Sequence, residues 1–170
     1  PIHVVFVRGS YADEYGNCTV HREIGPIDVT AMAQACRNSG GKVIVQVEKV
    51  VQGGTLDPKL VAIPGIYVDA LVVGSPEDSM QCLGTPYDGS LTGEYRIPMD
   101  AIPPIPLDAK KIIARRAAME LPQDAIVNLG TGAPEKIANV AAEEGINDRM
   151  TLTVEAGSIA GVPMGGTQFG

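Results

Sequence analysis

Residues 125–157, AIVNLGTGAPEKIANVAAEEGINDRMTLTVEAG, contain two apolar runs separated by a glycine-rich turn and a helical pattern. The runs Ala125–Leu129 and Met150–Val154 have the length and apolar character of buried strands, and the second is rich in β-branched residues. Between them, Pro134 stands in the first turn of a predicted helix that ends near Gly145. A strand, a crossover helix and a second strand in this order predict two parallel strands of one sheet.

Glu155 is the candidate catalytic residue, because it directly follows the second predicted strand. Open parallel sheets bind their ligands at the carboxyl ends of the strands. The glycines after Glu155 indicate a loop where the backbone passes close to another group: Gly157, Gly161, Gly165 and Gly166. The alternative interpretation of Glu155 is a loop carboxylate in a hinge or a salt bridge.

The first half of the chain also alternates between strand-like and helix-like segments. A helix is predicted over 29–39, with Asp28 as its N-cap. Strand-like runs lie at four places: 3–7, 18–21, 43–47 and 66–73. Together with the segment 125–154, this pattern predicts an α/β protein with a mostly parallel sheet flanked by helices.

Residues 84–106 are rich in proline and glycine, which exclude a continuous helix or a central strand. We predict that this segment is a connector between two α/β halves, one over 1–83 and the other over 107–170. A proline-rich recognition motif is the rival interpretation of the segment.

A helix is predicted to begin after Asp108 and to reach about Leu121. Its apolar residues are expected to face the core: Ala109, Ile112, Ile113 and Ala117. Its cations are expected to face solvent: Lys110, Lys111 and Arg115, with Arg116 near the edge of that face.

The composition excludes several classes of function. With 13 basic and 20 acidic residues the net charge is −7, so the chain lacks the basic face needed to bind nucleic acid and matches acidic membranes poorly. The three cysteines, Cys18, Cys36 and Cys82, are widely spaced and form no ligand pattern with a histidine, which argues against a zinc site. Neither a signal peptide nor an apolar run of membrane-spanning length is found, and a cytoplasmic location is expected.

Residues 153–170 resemble the active-site strand and loop of the class I coenzyme A transferases, and most of all the acetate/propionate type. The resemblance rests on Glu155 and the following glycines in register, with Ala156 where the family usually has serine or asparagine. Segments 13–17, 42–48 and 63–69 are similar to the end of that family's first domain, and segment 128–134 to the start of its second. The resemblance implies that this chain is the middle part of a longer protein.

In that family the glutamate forms a covalent intermediate, so the resemblance implies that Glu155 is the catalytic nucleophile. It implies coenzyme A as co-substrate, acyl-CoA and short-chain carboxylates as partners, no metal or redox cofactor, and a homo-oligomer for the intact protein. The glycines expected to contact substrate or CoA are Gly130, Gly132, Gly157, Gly165 and Gly166. Since the oxyanion-stabilising groups of the family lie largely downstream, the 170-residue segment alone is expected to be inactive.

Two other functions stay open at this point. An acyl-CoA hydrolase would use the same glutamate but let water cleave the intermediate, and a ligand-binding domain on the same fold would use none. A nicotinamide cofactor is rejected, because Glu135 replaces the third glycine of the dinucleotide-binding pattern that Gly130 and Gly132 begin.

Overall fold

The computed structural model describes residues 1–168, so Phe169 and Gly170, the last two residues of the predicted active-site loop, lie outside the described residues. The chain divides into two compact units, Pro1–Tyr95 and Arg96–Gly170. The division falls inside the predicted connector 84–106. The units have α/β folds of their own, and each is described by itself.

A parallel sheet forms the centre of the first unit. Its strands are β1 (Val4–Arg8), β4 (Lys42–Val47) and β7 (Ala70–Val73), in the order β1-β4-β7. Alternate side chains of β4 are fully buried, as expected for a strand with one face against a helix. That helix is α1 (Val29–Asn38), whose Ala33 and Cys36 are buried in the same core. Asp28 occupies the N-cap position of α1, as predicted, but makes no side-chain cap hydrogen bond.

A second, mixed sheet in this unit was not predicted. Its strands, in the order β5-β2-β3-β6, are β2 (Tyr11–Asp13), β3 (Cys18–Thr19), β5 (Lys49–Val51) and β6 (Val61–Ile63). The β2–β3 and β3–β6 pairs are antiparallel, whereas β2 and β5 are parallel. The buried carboxylate of Asp13 accepts the backbone N–H groups of Tyr15, Asn17 and Gly54, which fixes the turn between β2 and β3.

Asp69 explains why the predicted strand 66–73 is wrong in its first half. The structure has a short 3-10 helix at Gly65–Tyr67, and the strand begins only at Ala70. The Asp69 carboxylate accepts the backbone N–H of Val43 at 2.9 Å and also contacts Arg37 and Lys42. The Val43 hydrogen bond, with the two cations, lowers the pKa of Asp69 to about 2. This carboxylate therefore anchors the chain to β4 just before β7 begins.

The second unit contains the helix predicted after Asp108 and the three elements predicted from residues 125–154. They are α2 (Ala109–Ala118), β8 (Ala125–Leu129), α3 (Lys136–Glu144) and β9 (Met150–Val154). Strands β8 and β9 are parallel and paired along five residues, from Ala125 opposite Met150 to Leu129 opposite Val154. The α/β fold with mostly parallel strands is confirmed.

Besides the 3-10 helix at Gly65–Tyr67, further 3-10 helices of the two units lie at Pro58–Leu60, Met99–Ala101, Asn147–Arg149 and Gly166–Gln168.

Helix α2 begins as predicted, because the Asp108 carboxylate accepts the N–H of Lys111 at 2.8 Å. The predicted inward face is wrong for its two isoleucines: Ile112 and Ile113 are 59% and 56% exposed, whereas Lys111, Ala114 and Ala118 are buried. Ala117 packs against the core, as predicted, and Ala109 is exposed. Small alanine side chains allow α2 to pack closely on α3, and they define the contact face better than the larger isoleucines do.

Lys111 is buried on this face because its ammonium group has partners there. It donates to the carbonyl oxygen of Ile105 at 2.9 Å and to Glu143 Oε1 on α3 at 2.6 Å. The apolar stem of the side chain packs in the core while the charge is paired. The expectation that every cation of α2 faces solvent was therefore wrong for Lys111.

No helix within residues 1–168 combines the length and the apolar character needed to cross a membrane. In the same part of the chain, no group of three or more His, Cys, Asp or Glu side chains is arranged to hold a metal ion.

Lys111→Ala should lower the free energy of unfolding by about 2 kcal/mol, because it removes two hydrogen bonds of a charged group together with buried packing. Lys110→Ala, one position earlier and exposed, is the matched control and should change it by less than about 0.5 kcal/mol. Urea unfolding followed by circular dichroism measures both. Equal effects of the two variants would mean that Lys111 faces solvent, as its charge alone suggested.

Candidate active site

The carboxyl ends of β8 and β9 form the edge at which the predicted site residues meet. Leu129 pairs with Val154 at the ends of the two strands, so Gly130 and Glu155, the next residues, leave the sheet at the same edge. In parallel sheets this is the edge where ligands bind. The structure thus brings together the two segments that the sequence placed 25 positions apart.

Glu155 is held in a tight turn that follows β9. The Val154 carbonyl accepts the N–H of Gly157 at 3.0 Å, and the Val154 N–H donates to the Ser158 carbonyl at 3.1 Å. Ile159 then pairs antiparallel with Thr153, so the chain folds back along the strand it has just left. Gly157 has φ +106°, a value that favours glycine. Glu155 therefore stands at the tip of a turn whose geometry depends on Gly157.

The Glu155 side chain is exposed at this tip. Within residues 1–168, no hydrogen bond or ion pair engages its carboxylate. A carboxylate without a cation partner keeps its lone pairs available, which a nucleophile needs. The alternative of a salt-bridged loop carboxylate finds no support in this part of the chain.

The glycines predicted to contact substrate leave open space around this edge. Among the described residues, no atom lies within 4 Å of the position that a Cβ would take at Gly130, Gly132, Gly157 or Gly166. At Gly165, by contrast, a Cβ would meet Lys136 Nζ at 3.1 Å and Glu135 Oε1 at 3.4 Å. Gly165 therefore packs against protein, whereas the other four leave room for a ligand.

Glu135 is the residue of this region that sequence reasoning missed. Its side chain is only 5% exposed, and its Oε2 accepts the N–H of Gly132 at 3.2 Å. Its Oε1 accepts the N–H of Gly166 at 3.1 Å and lies 2.9 Å from Lys136 Nζ. The signal available in the sequence was an acidic residue at the start of a helix, where the helix dipole favours negative charge.

The charge state of Glu135 follows from these contacts. Burial by itself would raise the pKa of its carboxyl group, but the Lys136 ammonium and the N–H groups of Gly166 and Gly132 outweigh burial and lower the pKa. The group is therefore ionised at neutral pH. It accepts the N–H groups of both Gly132 and Gly166 in this state.

A separate cavity of about 420 Å³ opens in the first unit. Its polar groups already have partners: Arg22 pairs with Glu48 and stacks over the Tyr87 ring at 3.6 Å, and the Tyr87 hydroxyl donates to Glu94 at 2.5 Å. These polar groups of the cavity are therefore already paired, whereas the carboxylate of Glu155 is not.

Comparisons with known proteins show which chains this one is similar to. Residues 1–74 match the family described as Coenzyme A transferase. The chain is 44% identical over 99% of its length to a caffeate CoA-transferase of Acetobacterium woodii. It is 38% identical over 98% of its length to the acetate CoA-transferase YdiF of Escherichia coli (strain K12). It spans only 32% and 31% of the lengths of these two relatives.

A solved structure has the same fold. The acyl-CoA transferase YdiF from Escherichia coli O157:H7, crystallised as a thioester complex with CoA, matches with a TM-score of 0.80 at 38% identity, over 94% of this chain and 31% of that chain. The resemblance inferred from residues 153–170 and the upstream segments is confirmed at the level of the family. Over residues 1–74 the chain matches the coenzyme A transferase family, and over nearly its whole length it is similar to CoA-transferases.

Proposed function

We propose that the protein containing this chain transfers coenzyme A between an acyl-CoA and a carboxylic acid, with Glu155 as the covalent nucleophile. The observation that carries the proposal is the position of Glu155: an exposed carboxylate at the carboxyl edge of a parallel strand pair, at the tip of a turn beside open glycine backbone. The names of the relatives, a caffeate and an acetate CoA-transferase, support the same reaction class.

Nucleophilic catalysis explains why a carboxylate suits this reaction. Transfer must preserve the free energy of the thioester, so water cannot be the acceptor, and a side-chain carboxylate takes its place. One Glu155 oxygen attacks the thioester carbonyl carbon, the C–S bond breaks, and CoA leaves as the thiolate. The product on the protein is a mixed anhydride of Glu155 and the acyl group.

The thiolate then attacks the Glu155 carbonyl carbon of this anhydride. The C–O bond to the acyl group breaks, the first acid leaves as a carboxylate, and a thioester joins Glu155 to CoA. A second carboxylate attacks that thioester, and the two steps run in reverse to give the new acyl-CoA and free Glu155. Protons and electrons balance without a redox partner, so coenzyme A is the only cofactor-like molecule in the scheme.

The glycines at this edge leave space for the pantetheine arm of coenzyme A. Pantetheine must bring its sulfur to the carboxylate of Glu155, and a side chain at Gly157 or Gly130 would stand at the edge that it approaches. Gly132 shares the turn after β8, and Gly165 and Gly166 lie in the loop that follows β9. We assign the four glycines with open space beside them to the substrate-binding edge, and Gly165 to the segment that supports this edge by packing on Glu135 and Lys136.

The remaining properties of the whole protein belong to the same proposal. Short aliphatic acids are the proposed acyl groups, in line with the acetate/propionate type that residues 153–170 resemble. A cytoplasmic location and a homo-oligomer are proposed for the intact protein. The 170-residue segment alone should be inactive or nearly so, because electrostatic stabilisation of the oxyanion is often the largest catalytic term and residues outside the segment are proposed to provide it.

Glu155→Gln in the full-length gene product should lower CoA transfer from propionyl-CoA to acetate by at least about 10⁴-fold, because the amide cannot form the anhydride. Glu120→Gln, at an exposed carboxylate of the same unit, should leave the rate unchanged. Incubation with propionyl-CoA, trapping with hydroxylamine or borohydride, and peptide mass spectrometry should locate the label on Glu155. A label on another residue would overturn the assignment, and thiol release without acceptor would identify a hydrolase.

Gly157→Ala should lower kcat by about 10- to 100-fold, because alanine disfavours φ +106° and the turn would carry Glu155 to another position. The matched control is Gly145→Ala, at the left-handed C-cap of α3, φ +67°. Both variants should lose about 1 kcal/mol of stability, but the control should keep the wild-type kcat per folded molecule. A similar loss of kcat in both would show that backbone strain alone, and not the turn of Glu155, limits the rate.

A further inference from the structure

Two separate backbone segments of the second unit meet on one buried carboxylate. Gly132 belongs to the turn after β8, and Gly166 lies in the loop after β9, 31 residues beyond Glu135. Each donates its N–H to a different oxygen of Glu135. Both segments contain glycines of the substrate-binding edge. The Glu135 carboxylate therefore connects the turn after β8 to the loop after β9.

We propose that Glu135 is a positioning residue for the transferase: it holds the Gly130–Gly132 turn and the Gly165–Gly166 segment in one fixed relation at the sheet edge that carries Glu155. The proposal rests on the function proposed above. Glu135 is not itself placed in contact with substrate. It acts through the backbone that the acyl-CoA must pass to reach the Glu155 carboxylate.

The contacts require a carboxylate of this length and charge. Two N–H donors and the Lys136 ammonium all point at acceptors, and only an ionised carboxylate offers two acceptor oxygens to satisfy them. A glutamine at this position would keep the volume but turn one acceptor into an NH₂ group. That group would face either the N–H of Gly132 or the N–H of Gly166 together with the cation, and one side would separate.

Burial makes the substitution consequential. The Glu135 side chain is 5% exposed, so water would not readily replace a lost partner. A shift of about 1 Å in a segment that positions a substrate can lower a rate by about 10²-fold, even when that segment carries no reacting atom. The loss should therefore appear in kcat more than in KM, because it concerns the geometry of attack.

The first test measures the connection itself and is independent of activity. In hydrogen–deuterium exchange of the full-length protein without substrate, Glu135→Gln should speed exchange at one of the two glycines, Gly132 or Gly166, because the NH₂ group that replaces one oxygen cannot accept that N–H. Glu144→Gln, at the other end of α3 and in an ion pair with Arg115, is the matched control and should change neither segment. Unchanged exchange at both glycines in Glu135→Gln would overturn the proposal.

The second test measures catalysis per active site. The amount of hydroxylamine-trapped Glu155 gives the number of competent sites, and Glu135→Gln should lower kcat per site by about 10²-fold, with KM changed much less. Glu144→Gln should match the wild type. Wild-type kcat per site in Glu135→Gln, with the label still on Glu155, would remove the positioning role and leave the proposed function intact. A wild-type protein that carries no label on Glu155 would remove both.

Glu135→Asp covers the case in which the glutamine variant does not fold. Aspartate keeps the charge but is one methylene shorter, so it can reach one of the two glycine N–H groups but not both. Exchange should rise in one segment only, and kcat per site should fall between the wild type and the expected glutamine value. Wild-type exchange in both segments and wild-type kcat would overturn the proposal.

Discussion

The parallel pairing of β8 with β9 is the constraint on which the candidate site depends. Five paired residues align the two strands so that their carboxyl ends coincide. Helix α3 supplies the crossover and packs its buried residues, Ile137, Ala138, Val140 and Ala141, into the core of the same unit. Because the strands end together, the turn after β8 and the turn after β9 share one edge. The chemistry proposed for Glu155 needs that shared edge more than it needs any single neighbouring residue.

Acidic side chains organise the loops of both units by accepting backbone N–H groups. Asp13 does so for the β2–β3 turn, Asp69 for the approach to β7, Asp108 for the first turn of α2, and Glu135 for the two glycine segments. A carboxylate suits this task because it offers two acceptor oxygens and is ionised at neutral pH. Part of the acidic excess of the chain therefore has a structural use. Glu155, the carboxylate proposed for catalysis, differs from these four because no backbone N–H of the described residues donates a hydrogen bond to it.

The sequence predicted the parts of the fold that local patterns control. The β8–α3–β9 unit followed from an apolar run, a glycine–proline turn and a β-branched run, and the position of Glu155 followed from the rule that parallel strands share a carboxyl edge. Local patterns could not predict which face of α2 packs against the core. Lys111 is buried because Glu143 and the Ile105 carbonyl satisfy it, and both partners depend on tertiary packing. The break before β7 likewise depends on Asp69 meeting Val43, a contact between distant segments. Glu135 was missed for the same reason, since its second glycine partner comes from the far end of the unit.

The buried Glu135 carboxylate can bind a proton, so the contacts that hold the two glycine segments together depend on pH. Its pKa in the folded protein lies below the ordinary glutamate value of 4.5. The stabilisation it contributes is therefore complete above that value and is lost as the pH falls from it through the lower, folded value. A proton on this group would remove the charge that attracts Lys136 and one of the acceptors that hold Gly132 and Gly166. In acid, a single protonation event would then release the Gly130–Gly132 turn from the Gly165–Gly166 segment. The hydrogen bonds between β8 and β9 involve no titrating group and would stay intact.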